Sequence, residues 1–168
     1  MPAASYTGPT YRHVAAQFSP LSGEGARIQG GRWNPPGSYA TLYLGLTPQA
    51  VRAEFHRLAT RQGLATGSFL PRVLYRYDTH LATLLDLRDH EARDAVTLTA
   101  DDLGGDELAH CQAVGEAAYA CGREGILAPS ATGHDDILAV FLTHRQAASR
   151  LDPTQVERWE DDVPPTDT

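Results

Sequence analysis

The chain has 168 residues, 42% hydrophobic and 21% charged, with a formal net charge of −7. That fits a single globular domain with a real core, and the acidic balance argues against a nucleic-acid backbone binder, which needs a basic face. Two cysteines, Cys111 and Cys121, are too few for a disulfide scaffold, and no apolar run approaches the roughly 20 residues of a membrane span.

No metal site is expected: HExxH and CxxC are absent, the cysteines match no zinc spacing, and the seven histidines are scattered. The N-terminal "MPAASYTGPTYRH" lacks the apolar core of a signal peptide, so a cytoplasmic location with reduced thiols is expected.

Residues 1–10 read as an irregular lead-in and residues 11–14 as the opening of a first strand, with Arg12 facing away from Tyr11 and His13. "SPLSGEGARIQGG" reads as a loop, and "SYATLYLGL" alternates as a strand with Tyr43 opposite its leucines. Thr47-Pro48 then predicts a helix start, and the helix should run to about Gly63. Its apolar stripe reads as Ala50, Val51, Phe55 and Leu58. With Ala50 at zero and 100° per residue, Glu54 falls at about 40°, between Ala50 and Leu58 and so in the middle of that stripe, while Arg52 and His56 point away. A carboxylate there must be paired, protonated or opened to a pocket. A structural ion pair with arginine and a pocket carboxylate both remain open.

"RVLYRYDT" predicts another strand, "LATLLDLRD" is ambiguous, and "HEARDAVTLTADDLGGD" is polar with a short helical piece at most. Asp106 could cap a helix over 107–121 whose inward stripe is Leu108, Cys111, Gly115, Ala118 and Tyr119, with Gly122 ending it. A short buried strand over 126–128 ends at Pro129 and presents Ser130 at its tip, and 137–142 is the last strand. The expected architecture is α+β: one compact domain over 1–151, a mainly antiparallel twisted sheet with flanking helices, then an acidic, Pro-rich, loosely ordered tail over 152–168.

The stretch "RIQGGRWNPPG" stands apart. Gly30 and Gly31 permit unusual backbone, Arg32 offers a charged fork for carboxylate or pyrophosphate, and Trp33 offers a face for stacking. Arg12, Arg32, Tyr43, Glu54 and Ser130 are the polar residues that fit a bland core least. Two arginines with a carboxylate suit an anionic substrate whose reaction builds positive charge, and cleavage of the N-glycosidic bond of NAD+ meets those requirements.

The chain resembles the RES-domain family, the toxin half of RES-Xre toxin–antitoxin modules. Arg32 in "GGRWN", Glu54 in "QAVRAEF" and Ser130 in "LAPSA" match the Arg, Glu and Ser of the family name, with Arg12 in "YRH" and Tyr43 in "LYL" as further matches. The region after Ser130, "HDDILAVFLTHRQAA", departs from the family's Asn-Pro-containing segment.

The resemblance implies an ADP-ribosyltransferase-like fold, NAD+ as substrate with no cofactor, and inhibition by a cognate Xre-type antitoxin. It implies that Arg32 and Arg12 bind the pyrophosphate or the nicotinamide-side phosphate, that Tyr43 stacks on or positions the nicotinamide ribose, that Glu54 stabilises the ribosyl cation or orients the acceptor, and that Ser130 bonds nicotinamide or ribose. It leaves open glycohydrolase, phosphorylase or protein ADP-ribosyltransferase activity, and a catalytically inactive nucleotide-binding module. A homodimer is compatible with the sequence, which does not fix the oligomeric state.

Overall fold

Six strands carry the core, and their pairing follows from which faces are apolar. The computed structural model describes residues 1–133 and 135–161. The elements in order are β1 (Ala4–Ala15), α1 (Glu24–Gln29), β2 (Thr41–Gly45), α2 (Pro48–Gln62), β3 (Arg72–Asp86), α3 (His90–Ala95), α4 (Ala100–Gly104), α5 (Ala109–Ala120), β4 (Gly125–Pro129), β5 (Asp136–Phe141) and β6 (Arg150–Trp159). β1 lies antiparallel along β3 from Ala15↔Arg72 to Ala4↔Leu84. A strand has two edges, so β6 and β4 share the other edge of β3 in succession: β6 against Arg72 to His80, then β4, parallel, against Leu84 to Asp86. β4 pairs with β5, β5 with β2, and β2 meets β1 at Tyr11↔Gly45. The sheet therefore closes on itself, with β6 added outside the ring.

Both faces of β2–β5–β4 are buried, which explains their near-continuous apolar runs. Leu42, Leu44, Leu127, Leu138 and Val140 pack on one face with Tyr77, Leu81 and Leu84 of β3. On the other, Ile126, Ala128, Ala139 and Phe141 meet Cys111, Val114 and Ala118 of α5. Gly115 lets α5 dock this closely, since a Cβ there would lie 1.9 Å from the carbonyl oxygen of Trp33. A third cluster joins Val51 and Phe55 of α2 to Leu74 and Trp159.

The start of α2 is as expected. Thr47 caps it by accepting from the Ala50 amide at 3.1 Å, Pro48 is its first residue, and Gly63 ends it in the left-handed conformation. Its buried face is Ala50, Val51, Phe55 and Ala59. That stripe centres near 120° on the same angular scale, so Glu54 lies on its shoulder and not in its middle. Arg52 does not point into solvent either: it ion-pairs with Glu157 of β6 at 2.7 Å.

Other expectations are corrected. β1 starts at Ala4, inside the presumed lead-in, because β3 is long enough to template it. α1 forms inside the presumed loop, and "LATLLD" simply continues β3. Two short helices occupy the polar segment after β3. α5 begins at Ala109 with no side-chain cap, and Asp106 pairs instead with Arg61 at 3.2 Å. The tail expected from 152 is β6 as far as Trp159, which is 2% exposed. An edge strand keeps one solvated side, so its polar composition mimicked disorder. The rest of that tail, 162–168, lies outside the described residues.

Candidate functional site

The segment after α1 is a rigid turn. The Gly31 amide donates to the Asn34 carbonyl at 2.9 Å, and the Asn34 side-chain amide donates to the Ala26 carbonyl at 2.7 Å. The Tyr43 hydroxyl donates to Asn34 Oδ1 at 2.6 Å and accepts from the Trp33 amide at 2.9 Å. Gly31 is required here because a Cβ would lie 2.5 Å from that hydroxyl. Burial, offset in part by those bonds, pushes the Tyr43 phenol well above its ordinary value, so it stays a protonated donor. Tyr43 thus holds the Arg32 loop in place.

Arg32 leaves this turn as a fixed cation. Its Nη1 donates to the Asp102 carbonyl at 2.6 Å and its Nη2 to the Gly105 carbonyl at 2.9 Å. These carbonyls belong to the C-terminal turn of α4 and the residue after it, where a cation is favoured. No carboxylate neutralises the guanidinium through these bonds, so its charge remains available to an anion.

Glu54 faces the same region. Its side chain is 51% exposed, and its ion-pair partner is Arg57 Nη1 at 3.9 Å. Burial raises its carboxyl above the ordinary glutamate range, against the opposing charges of Arg57, Arg61 and Arg32. Glu54 is thus a half-exposed carboxylate whose proton is held more firmly than usual despite three nearby cations. Arg57 also reaches the Gly104 carbonyl at 3.4 Å, and Arg61 meets Asp106. Three arginines therefore converge on segment 102–106, and the charges of all three act on Glu54, with Arg57 its ion-pair partner. Sequence reasoning passed over Arg57 and Arg61. Their spacing at i+3 and i+7 from Glu54 was the available signal.

The other expected residues lie elsewhere. Trp33 is fully buried and packs in the α5 cluster, so its indole offers no face to a ligand; this corrects the stacking role. Arg12 Nη1 donates to the Pro20 carbonyl at 3.4 Å, which also accepts from the Tyr77 hydroxyl at 2.5 Å. Beside it, His13 is held neutral by burial and by the charges of Arg72 and Arg12. Ser130 follows β4, is 8% exposed, and shares a hydrogen bond with Thr132 at 2.8 Å. Neither Arg12 nor Ser130 forms a hydrogen bond or ion pair with Arg32, Tyr43 or Glu54 among the described residues. Hydrogen bonds thus tie Tyr43 to the Arg32 turn and the charge of Arg32 acts on Glu54, whereas Arg12 and Ser130 make their contacts with Pro20 and Thr132. Among the described residues no cluster of three or more His, Cys, Asp or Glu could hold a metal ion, and no helix is long and apolar enough to cross a membrane.

The family model for the RES domain matches residues 7–162. The chain belongs to the RES-domain family. This RES-domain protein is 42% identical over 126 residues to the NAD(+) phosphorylase MbcT of Mycobacterium tuberculosis (strain ATCC 25618 / H37Rv), an alignment covering 73% of this chain and 67% of that protein. The NAD(+) phosphorylase MbcT of Mycobacterium bovis (strain ATCC BAA-935 / AF2122/97) matches with the same identity and coverage. Its fold is similar to that in the crystal structure of the M. tuberculosis MbcT–MbcA toxin–antitoxin complex, with a TM-score of 0.79, 33% identity, and coverage of 92% of this chain and 87% of that one. The mixed α+β single domain expected from the sequence is what this similarity describes.

Proposed function

We propose that this RES-domain protein degrades NAD+ by cleaving the nicotinamide–ribose bond with inorganic phosphate as acceptor, and that a cognate antitoxin restrains it. The observation that carries this reading is the 42% identity to NAD(+) phosphorylases over 73% of the chain, a span that includes the arginine-rimmed carboxylate. Nicotinamide leaves NAD+ as a neutral base, so no proton is required at the leaving nitrogen, and the barrier lies in the positive charge on the ribose. A carboxylate beside that centre stabilises it. Glu54 suits this role because no short ion pair consumes its oxygens. The fixed charge of Arg32 suits the NAD+ pyrophosphate, and Arg12 a second phosphate contact. Tyr43 acts by keeping Arg32 in place, and Ser130 would bond nicotinamide or ribose from the end of β4.

The antitoxin is taken to be of the Xre type, and the site of action to be the cytoplasm, where NAD+ is plentiful. Whether the protein acts as a homodimer is read from sedimentation of the purified chain. The test of the activity is NAD+ concentration over time with and without inorganic phosphate, with products separated. Phosphate-dependent loss yielding ADP-ribose 1″-phosphate is expected. Equal loss in both buffers, with free ADP-ribose, means a glycohydrolase, and loss only after a protein acceptor is added means a protein ADP-ribosyltransferase.

A further inference from the structure

Phosphorolysis poses a problem that hydrolysis does not. Water approaches a carboxylate freely, whereas the acceptor phosphate is an anion that must come close to Glu54. It needs cations of its own, apart from those that hold the NAD+ pyrophosphate.

Two residues of α2 answer that need. Glu54, Arg57 and Arg61 occupy one helical face. The Arg57 side chain is 22% exposed, and among the described residues its polar partners are Gly104, at 3.4 Å, and Glu54, at 3.9 Å. A guanidinium has five N–H donors, so most of its capacity is free. Arg32 differs: its two terminal nitrogens are fixed at 2.6 and 2.9 Å on backbone carbonyls. Arg61 pairs with Asp106, and both side chains are at least half exposed, so solvent screens the pair and an incoming anion can compete for it. The Asp102 carboxylate of the same segment is taken up by Thr99 and His110, so it does not occupy the free donors of Arg57.

We propose that Arg57, with Arg61 one turn further along α2, forms the subsite for the acceptor phosphate and so selects phosphate over water. This rests on the NAD+-phosphorolysis reading. A phosphate oxygen forms a bond to C1″ of the ribose while the C1″–N bond breaks, its electron pair passing to the pyridinium nitrogen. Nicotinamide departs neutral, and hydrogen phosphate keeps its proton in the ADP-ribose 1″-phosphate product. Arg57 supplies charge and donors to the incoming phosphate next to the carboxylate that steadies the ribosyl cation.

Initial rates measured over a matrix of NAD+ and inorganic phosphate concentrations test this, using wild type, Arg57→Gln, Arg57→Lys and Arg61→Gln. Arg57→Gln should raise the KM for phosphate by about 10-fold or more and that for NAD+ by less than about 2-fold. Arg61→Gln should raise the phosphate KM by about 3-fold, and Arg57→Lys should recover part of the loss. The share of free ADP-ribose among the products should increase in Arg57→Gln. A phosphate KM that stays at the wild-type value, or that rises only in step with the NAD+ KM, overturns the assignment. Should Arg57→Gln fail to fold, sulfate inhibition of wild type decides: competition with phosphate but not with NAD+ is required, and its absence sinks the subsite. Wild-type NAD+ loss that is indifferent to phosphate removes the phosphorolysis reading itself, a separate outcome.

Discussion

Glu124 and Glu54 are two carboxylates in opposite circumstances. Glu124, just before β4, is fully buried and accepts five hydrogen bonds: from the Ala82, Thr83 and Gln146 amides and from the hydroxyls of Thr83 and Ser149. Burial alone would raise its carboxyl, but the bonds from Ser149 and the three amides outweigh it and hold the group below the ordinary range. It ties β3, β4 and the segment before β6 together. Glu54 is half exposed, has one loose partner, and is pushed the other way. A carboxylate that the fold has saturated serves structure. One that is left under-coordinated among cations is available for chemistry, and its ionisation costs stability.

Glu124→Ala should produce the largest loss of stability, about 4 kcal/mol, because it leaves buried donors without an acceptor. For a domain of this size that corresponds to a fall in Tm of about 10 °C, checked by thermal melts. Gly115→Ala should follow at about 3 kcal/mol, since the added methyl meets the Trp33 backbone. An unchanged Tm there would contradict the docking of α5 on the Arg32 turn. Tyr43→Phe should cost about 2 kcal/mol, by stripping Asn34 Oδ1 and the Trp33 amide of a partner, and should weaken NAD+ turnover through Arg32.

The smallest effect is the most discriminating. For Glu124, whose folded value is depressed, the stabilisation is complete above the ordinary glutamate range and is lost as pH falls through the folded value. For Glu54, whose folded value is raised, the native state binds the proton more readily than the unfolded chain. Stability is therefore lost as pH rises from the ordinary value through the raised one. Removing the Glu54 charge should consequently stabilise at neutral pH, by no more than about 1 kcal/mol for so exposed a group, and should have no effect at a pH below the ordinary range. Melts of Glu54→Gln against wild type across pH 3–8 would show the two curves merging on the acid side.

Much of the frame was legible in the sequence. The Thr47-Pro48 start and Gly63 end of α2, the strands around Tyr43 and Ile126, and the motif carrying Arg32 and Glu54 all follow from local chemistry. What was not legible depended on partners distant in sequence. β6 reads as an acidic tail until β3 is seen to template it, and Trp33 reads as a stacking platform until Gly115 is seen to pack on its carbonyl. Glu54 was found for partly the wrong reason. It was placed in the middle of the buried stripe, whereas it lies on the stripe's shoulder with half of its side chain exposed.

The central claim is that Glu54 serves chemistry and not the fold. Its most direct test is the rate of NAD+ loss and the Tm of Glu54→Gln, measured on the same preparation at neutral pH. The account predicts turnover reduced by about 1,000-fold or more, with a Tm equal to or slightly above that of wild type. Turnover near the wild-type rate, or a Tm lowered by several degrees, would contradict it and return Glu54 to the structural class to which Glu124 belongs.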